Sequence, residues 1–353
     1  MRTMMHFRRC LLGVGVLVLF TGCDTPNLNL DDLGNLIGDL GGGGTGGSIT
    51  EPNDAAIEVY ASNTGGASGM AIRPSDGEIF IVNPDGLFGP IARGADVSQM
   101  TPIGATNLAD MGLFDQEQVA FVLAVTNDGE FWIASPFSSR LAVVSAQGGD
   151  AEPFTGLLEG VEPANIKPEA IVLVPDGFSG PQIKPGNLLV GEDTTFSRLA
   201  VIDVATRFVI PKVDNANEET INREAHDLTF GADGVLYSAR QSASATLAGI
   251  QRIDTDGAPT PLEGTFRVAV NAFVGLADGD LLIDGTFRRE GDLQSDVFNG
   301  LFFYDAAAAT VSEALTLETT DSSERDEMVL AADGTIYLSQ PALNRIVVVT
   351  DRR

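Results

Sequence analysis

An Asp-Gly pair between two short apolar runs recurs along this 353-residue chain. Asp-Gly flanked by apolar residues is the strongest short-range signal for a β-hairpin, because glycine readily adopts the positive φ angles of tight turns. The turn aspartates lie 45 to 57 residues apart, at Asp76, Asp128, Asp176, Asp233, Asp278 and Asp333. A hairpin repeated at this period indicates a radial array of small sheets rather than one continuous sheet.

Each repeat contains further strand-like runs around its turn. In the last repeat Met328–Leu330 precedes the turn, Thr335–Ser339 follows it, and Arg345–Thr350 supplies a third strand. Fourth strands are weaker, as in Ala314–Glu318, and the third repeat carries an insertion, Gly177–Gly186, between its first two strands. A repeat of roughly 49 residues is the size of one four-stranded propeller blade.

The two ends of the repeat array are incomplete in complementary ways. The last repeat ends after its third strand, whereas a spare apolar run, Ile57–Ala61, precedes the first repeat. A spare strand that completes the last blade closes the ring and removes the exposed edges of an open array. We therefore predict an all-β fold, a six-bladed β-propeller over residues 55–353, with its ring closed by the N-terminal strand.

The N-terminus has the features of an export signal. Basic residues precede an apolar run, Cys10–Phe20, of only eleven residues, and a membrane-spanning helix needs about twenty. The run ends in Leu-Phe-Thr-Gly-Cys, which resembles a bacterial lipobox, and that resemblance implies lipidation of Cys23. We predict a signal peptide over residues 1–22 that is cleaved before Cys23; a plain secretory signal is the alternative.

Residues 23–54 have the composition of a linker. Leu28–Leu40 suits either a short amphipathic helix or a disordered tether, and a glycine-rich run, Gly41–Gly47, follows it. We predict a lipidated flexible linker that holds the propeller at the cell envelope, outside the cytoplasm, with the membrane as a partner through the lipid anchor. The formal net charge of −28 argues against nucleic acid as a partner, since its phosphates would repel the protein.

One repeat position marks the mouth of the predicted central channel. Seven residues before each turn aspartate stand Gly69, Phe121, Glu169, His226, Asn271 and Asp326. We predict that Glu169, Asn271 and Asp326 bind a divalent cation, helped by Asp227 and Glu327, because oxygen donors suit calcium or magnesium. The alternative is that these polar residues cap strand ends and bind channel water.

Other candidate functional residues are few. His226 is the only histidine after the predicted signal peptide, so it is the candidate for a catalytic base of near-neutral pKa, with a structural role as the alternative. The face of the ring opposite the Asp-Gly turns is called the top face. We predict that Arg240, Arg288 and Arg289 lie on loops of this top face and bind an anionic ligand. The aromatic residues Phe80, Trp132, Tyr237 and Tyr337 all follow a turn aspartate by four positions, which predicts packing between blades.

Two segments resemble known repeats. G-M-A-I-R-P-S-D-G-E-I-F-I-V and D-G-T-I-Y-L-S-Q-P-A-L-N-R-I-V-V-V are similar to NHL repeats and, more loosely, to gluconolactonase-like and streptogramin-lyase-like six-bladed propellers. The gluconolactonase resemblance implies a channel metal bound by glutamate, asparagine and aspartate, although Gly69 stands where a first-blade glutamate is expected. The segment A-H-D-L-T-F-G-A-D-G resembles the strand that carries an essential histidine, here His226, in the lyases.

These motifs specify fold rather than chemistry. The sequence favours a binding or scaffold protein that uses its top face and channel mouth, with an unidentified small molecule or protein as partner. A metal-dependent gluconolactonase-like hydrolase and a lyase that uses His226 are the alternatives.

Overall fold

The structure is a computed structural model that describes residues 55–103, 108, 121–135, 140–154, 168–192, 198–210, 213, 225–240, 249–265, 268–288, 297–316 and 326–351. The chain divides into two units, Met1–Thr50 and Glu51–Arg353, and every described residue belongs to the second. The predicted signal peptide and linker, residues 1–22 and 23–54, lie outside the described residues. In the part of the chain that is described, no helix is long and apolar enough to cross a membrane.

The described strands form six antiparallel sheets, the six blades of a β-propeller. Strand β1 (Ala55–Ser62) belongs to the last blade. The remaining strands, blade by blade, are β2 (Gly69–Ile72), β3 (Ile79–Val82) and β4 (Phe88–Pro90); β5 (Val122–Val125), β6 (Phe131–Ser135), β7 (Arg140–Val144) and β8 (Glu152–Pro153); β9 (Pro168–Leu173), β10 (Leu188–Glu192), β11 (Arg198–Ile202) and β12 (Val209–Ile210); β13 (Ala225–Phe230), β14 (Leu236–Arg240), β15 (Gly249–Ile253) and β16 (Pro259–Pro261); β17 (Val268–Gly275), β18 (Leu281–Arg288), β19 (Val297–Asp305) and β20 (Thr310–Thr316); and β21 (Glu327–Leu330), β22 (Ile336–Gln340) and β23 (Arg345–Asp351).

The N-terminal strand closes the ring. Strand β1 pairs antiparallel with β23, from Ala55 opposite Asp351 to Ser62 opposite Arg345, so the order of blade 6 is β21, β22, β23, β1. The edge of β23 is therefore covered rather than exposed. The predicted six-bladed propeller and its closure by the N-terminal strand are both confirmed.

Hydrophobic packing is concentrated between neighbouring blades. Each of the six blade boundaries holds one cluster of buried apolar side chains. The predicted role of the regularly spaced aromatics is confirmed: Phe80 of blade 1 packs against Phe131 of blade 2 with ring centroids 4.6 Å apart. Likewise Trp132 packs against blade 3, Tyr237 against blade 5 and Tyr337 against blade 1.

The Asp-Gly turns of blades 1, 4 and 6 have the expected hydrogen bonds. The carboxylates of Asp76, Asp233 and Asp333 accept the backbone N–H two residues later, over 2.9 to 3.1 Å. The following glycines have φ between 74° and 86°, which a side chain would disfavour.

Blade 3 departs from this pattern. Asp176 and Gly177 do form a turn, in which the Phe178 N–H donates to the Pro175 carbonyl over 3.1 Å, but this turn leads into the insertion and does not close the hairpin. The positive φ, 79°, belongs to Gly186, whose N–H donates to the Val174 carbonyl over 2.9 Å and closes the hairpin there. The insertion before it folds under blade 4, where the rings of Phe178 and Phe230 stand 5.1 Å apart. The insertion therefore braces blades 3 and 4 at the bottom of the ring.

The top-face loop predicted to contain Arg288 begins later in the chain than the sequence indicates. Strand β18 continues to Arg288 and β19 begins at Val297, with unbroken pairing between them. The Thr286 hydroxyl donates to the Asn299 amide oxygen across the two strands over 2.7 Å. This cross-strand contact and the continuous backbone pairing extend the hairpin beyond what the apolar pattern indicates.

Candidate functional site

A cavity of about 310 Å³ lies on the axis of the ring, enclosed by the innermost strand of every blade. Glu169 of blade 3, Asn271 of blade 5 and Asp326 of blade 6 all line it, together with Asp227 and Glu327. The repeat position singled out in the sequence therefore does bring these side chains to one cavity. Among the described residues that line it, none is basic.

Three innermost strands contain a β-bulge at that repeat position. In β9, β13 and β17 the extra, unpaired residue is Glu169, His226 and Asn271 respectively, because each falls between two residues that oppose consecutive partners on the next strand. A bulge redirects a side chain from the plane of the sheet and is common beside functional sites. Blades 3 to 5 thus share a device that the regular strands β2, β5 and β21 lack.

The first two blades place no polar side chain at this position. A Cβ atom on Gly69 would lie 2.5 Å from Val82 Cγ1 and 3.1 Å from the Phe121 carbonyl oxygen, so glycine is required there by lack of space. Phe121 is 2% exposed and packs in the cluster between blades 1 and 2. Its predicted place at the channel mouth is wrong, because burial of the ring between blades is more favourable than exposure in the channel.

Asp227 and Glu327 tie neighbouring blades together. Both stand six residues before a turn aspartate, and each accepts a backbone N–H from the innermost strand of the next blade. Asp227 Oδ2 accepts from Phe273 over 3.4 Å, and Glu327 Oε2 accepts from Met70 in a short contact. The oxygens predicted to assist a cation therefore already support the ring at two blade boundaries.

Asp284, which the sequence interpretation missed, lies behind the cavity wall and is hydrogen-bonded to two residues that line the cavity, Asn271 and Asp326. It lies on β18 opposite the bulge, is 3% exposed, accepts from Asn271 Nδ2 over 3.5 Å and shares a hydrogen bond with the Asp326 carboxyl. Burial raises the pKa of Asp284 to about 6, and its hydrogen bonds with Asp326 and Asn271 lower it. The signal that could have found it is a carboxylate directly after the apolar run Leu281–Ile283.

Asp227 also has an unusual ionisation. Burial raises the pKa of its carboxyl from 3.8 to about 7, and the N–H groups of Leu228 and Phe273 offset that shift only in part. A buried carboxyl with a pKa near neutrality can accept or donate a proton at physiological pH. Such a group inside a cavity is a candidate for acid–base chemistry.

The donor set of the mouth suits a hard cation in its chemistry, since carboxylate and amide oxygens are the ligands that calcium prefers. Glu169 and Asp326 are 7% and 6% exposed. Within the described ranges no group of three His, Cys, Asp or Glu side chains is close enough to hold a metal ion. Metal binding by Glu169, Asn271 and Asp326 stays a prediction.

The remaining predicted site residues are only partly placed. Arg240 and Arg288 are the last residues of β14 and β18, so they end strands rather than lie on loops as predicted. Both strands extend this far because Arg240 pairs with Gly249 of β15 and Arg288 pairs with Val297 of β19. The side chains of His226, Arg240 and Arg288, and the whole of Arg289 and Cys23, lie outside the described part of the molecule.

No protein-family model and no curated protein sequence matches this chain. Solved structures do. A protein of unknown function from Bacteroides thetaiotaomicron is 12% identical with a TM-score of 0.52, over 84% of this chain and 76% of that one. A gluconolactonase from Xanthomonas campestris is 11% identical with a TM-score of 0.51, over 85% and 90%. Virginiamycin B lyase from Staphylococcus aureus is 13% identical with a TM-score of 0.49, over 84% and 98%. At these identities the likeness to the first two supports the fold alone.

Proposed function

We propose that this protein is a membrane-tethered, extracytoplasmic binding protein whose binding site is the mouth of the central channel. The observation that carries the proposal is the shared cavity: Glu169, Asn271 and Asp326, from three different blades, line one space on the ring axis. A concave site with a few convergent polar groups is the usual form of a ligand site. Glu169 and Asn271 are each the extra residue of a bulge, and a bulge changes the direction in which its side chain leaves the strand.

The ligand is proposed to carry positive charge, and a calcium ion is the first to test. The cavity wall supplies carboxylates and an amide oxygen without a basic side chain among its described residues. Several carboxylates at one mouth repel one another unless protons or a cation compensate. Glu169, Asn271 and Asp326 would supply the oxygen ligands.

Calcium should raise the melting temperature of the unmodified protein, and much less that of Glu169→Gln/Asp326→Asn, because binding to the folded state alone stabilises it by mass action. The matched control is Glu152→Gln/Glu263→Gln, which removes two exposed carboxylates elsewhere and should keep the full shift. Equal shifts in all three proteins, or no shift in any at millimolar calcium, would overturn a cation at the mouth.

A metal-dependent lactone hydrolase is the second candidate, favoured by one observation. Asp227 lines the same cavity with a pKa of about 7, which suits a general base that removes a proton from water at neutral pH. Hydrolysis of gluconolactone should then rise with pH through about 7, and Asp227→Asn should abolish that rise. A protein without activity, or one whose pH profile Asp227→Asn leaves unchanged, excludes this role.

The tether is tested separately. Cys23→Ser should release the protein from the membrane fraction, because an apolar run of eleven residues is too short to span a bilayer. Fractionation with an N-terminal mass measurement checks this. Retention in the membrane with an unprocessed N-terminus would point to an uncleaved anchor instead.

A further inference from the structure

The link between β1 and β2, residues 63–68, crosses the boundary between blades 6 and 1. Its two ends are held by the Asn63 carbonyl, which accepts the Val97 N–H over 3.1 Å, and by the Ser68 N–H, which donates to the Val82 carbonyl over 3.2 Å. The N–H of Thr64 donates to the Asn344 carbonyl over 3.3 Å, and that of Gly66 donates to Asn344 Oδ1 over 3.0 Å. The Ser339 hydroxyl donates to the Ala67 carbonyl over 2.6 Å. Asn344, which accepts two of these hydrogen bonds, has a φ of 55°, a left-handed conformation in which asparagine is found more often than most residues other than glycine.

Three buried polar atoms at this boundary have no hydrogen-bond partner: Thr64 Oγ1, Asn83 Nδ2 and Gln340 Nε2. Their residues are 0%, 1% and 0% exposed. The two amides are oriented by their oxygens, because Asn83 Oδ1 accepts from the Leu87 N–H over 2.9 Å and Gln340 Oε1 accepts from Arg345 Nε over 2.8 Å. Both N–H₂ groups are therefore left as unpaired donors, which is unfavourable in a protein interior.

The three residues belong to one place in the fold. Asn83 and Gln340 each stand seven residues after a turn aspartate, at the top of the second strand in neighbouring blades. The link passes beside Asn83: a Cβ atom on Gly65 would lie 2.5 Å from Asn83 Nδ2. Opening of the link would therefore let water reach polar atoms that the closed form leaves unsatisfied.

The same link borders the central cavity. Ser68 and Met70 line that cavity, the Ser68 hydroxyl accepts the Phe121 N–H over 2.9 Å, and the Met70 N–H donates to Glu327. Deeper in the boundary Met70, Ile79 and Ile346 pack in one apolar cluster. Movement of the link would therefore change the cavity wall without separating the two blades.

We propose that residues 63–68 form a latch that opens locally at the boundary of blades 6 and 1 and gives sideways access to the central cavity. The closed form makes six hydrogen bonds with the link but leaves three buried polar atoms beside it unpaired, and the cost of those unpaired atoms offsets part of the stabilisation from the six bonds. Glycines at 65 and 66, with φ of 69° and 72°, give the link the backbone freedom to move. The proposal does not depend on the identity of the ligand.

Hydrogen exchange followed by mass spectrometry tests the opening in the unmodified full-length protein. Peptides that cover residues 63–68 should exchange at a rate independent of low denaturant concentrations, whereas peptides from β22 and β23 should exchange faster as denaturant is added. The same denaturant dependence for the link and for β22 would mean that the link opens only when the protein unfolds, which would overturn the latch.

A matched pair of substitutions tests its cause. Thr64→Val removes the unpaired hydroxyl and should slow exchange of the link roughly tenfold. Thr126→Val is the control: that threonine is equally buried, but its hydroxyl donates to Asp128 Oδ1 over 2.5 Å and accepts the Glu130 N–H over 3.0 Å. The control should lower the melting temperature and leave link exchange unchanged. Unchanged or faster link exchange in Thr64→Val would refute the proposed cause.

Thiol labelling tests the connection to the cavity. The chain has no cysteine after Cys23, so Met70→Cys in a Cys23→Ser background gives the exported protein a single thiol. It lies at a residue that borders the cavity and whose side chain is buried in the boundary of blades 6 and 1. Its labelling should slow by the same factor as link exchange when Thr64→Val is added. Labelling that does not change while exchange slows would show that the latch does not control access.

Discussion

Blades 3 to 5 and the boundary of blades 6 and 1 are built from the same repeat but differ in what they leave unsatisfied. In blades 3 to 5 the innermost strands carry bulges at Glu169, His226 and Asn271, and the blade 3 insertion braces the bottom of the ring. At the opposite boundary the innermost strands are regular, and unpaired polar atoms gather at the top beside the chain that closes the ring. Polar groups line the cavity from both sides of the ring, but only blades 3 to 5 use bulges to direct them there, whereas the closing boundary leaves polar atoms without hydrogen bonds.

The difference shows how a radial repeat accommodates two tasks. Each blade boundary has its own apolar cluster, so a local irregularity in one blade does not disturb the next. Blades 3 to 5 can therefore carry bulges while the boundary of blades 6 and 1 leaves buried polar atoms unpaired. Four predictions test this separation, from the largest expected effect to the smallest.

Removal of the closing strand should have the largest effect. Deletion of Asp54–Ser62 uncovers the edge of β23 and removes the buried Ala55 and Ala61 from two clusters. We expect aggregation, or a melting temperature lower by more than about 10 °C, because an unpaired edge both loses contacts and pairs with other chains. Deletion of Asp31–Gly47 is the control and should change nothing. Equal melting of the two deletion variants would show that β1 does not close the ring.

The contact between the blade 3 insertion and blade 4 should be sensitive to the addition of a single methyl group. A Cβ atom on Gly180 would lie 1.6 Å from the Thr255 carbonyl oxygen of blade 4. Gly180→Ala should therefore destabilise the fold by ~1–3 kcal/mol, which calorimetry would record as a melting temperature lower by several degrees. Gly177→Ala, three residues earlier in the same insertion, meets nothing within 4 Å and should be neutral. A neutral Gly180→Ala would mean that the insertion does not rest on blade 4.

The buried carboxyl of Asp227, which lines the cavity, should make stability depend on pH. The pKa of Asp227 is raised from 3.8 to about 7, so the folded protein binds this proton more tightly than the unfolded chain. Protonated Asp227 therefore stabilises the folded protein fully below pH 3.8, and this stabilisation is lost as pH rises through about 7. We expect the melting temperature to fall by a few degrees between pH 5 and pH 7.5, and less in Asp227→Asn.

The turn aspartate Asp333 acts in the opposite direction and in a different pH range, which makes it a suitable comparison. The Thr335 N–H lowers the pKa of Asp333, so its contribution is present above the unfolded pKa of 3.8 and is lost as pH falls below it. Asp333→Asn should leave the fall in melting temperature between pH 5 and pH 7.5 unchanged. A melting temperature that rises over that interval would contradict the assignment of Asp227.

The smallest effect on stability is expected from removal of one bulge. Deletion of Asn271 leaves Val270 next to Ala272, which oppose the consecutive residues Gly285 and Asp284, and so restores a regular strand. The melting temperature should fall by only about 2–4 °C, since roughly one kilocalorie per mole is at stake, while the calcium-dependent shift should disappear. A variant that fails to fold would show that the bulge serves the fold rather than the site.

The sequence by itself determined the repeat, the blade count and the ring closure. Asp-Gly turns and alternating apolar runs are local signals, and each blade is a local hairpin assembly, so the period could be read without knowledge of tertiary contacts. The same alignment identified Glu169, Asn271 and Asp326 as neighbours on the ring axis, because a closed repeat carries equivalent positions to equivalent places.

Only the tertiary structure decided how those positions are used. The exclusion of a side chain at Gly69 depends on Val82 and on the next blade, and the burial of Phe121 depends on the cluster that it enters. The bulges depend on pairing between strands, since an extra residue is defined only against its partner strand. The partnership of Asp284 with Asp326 joins residues that are distant in the chain and belong to different blades. Local patterns specify which strands form, whereas space, hydrogen bonding and charge between blades specify what the channel presents.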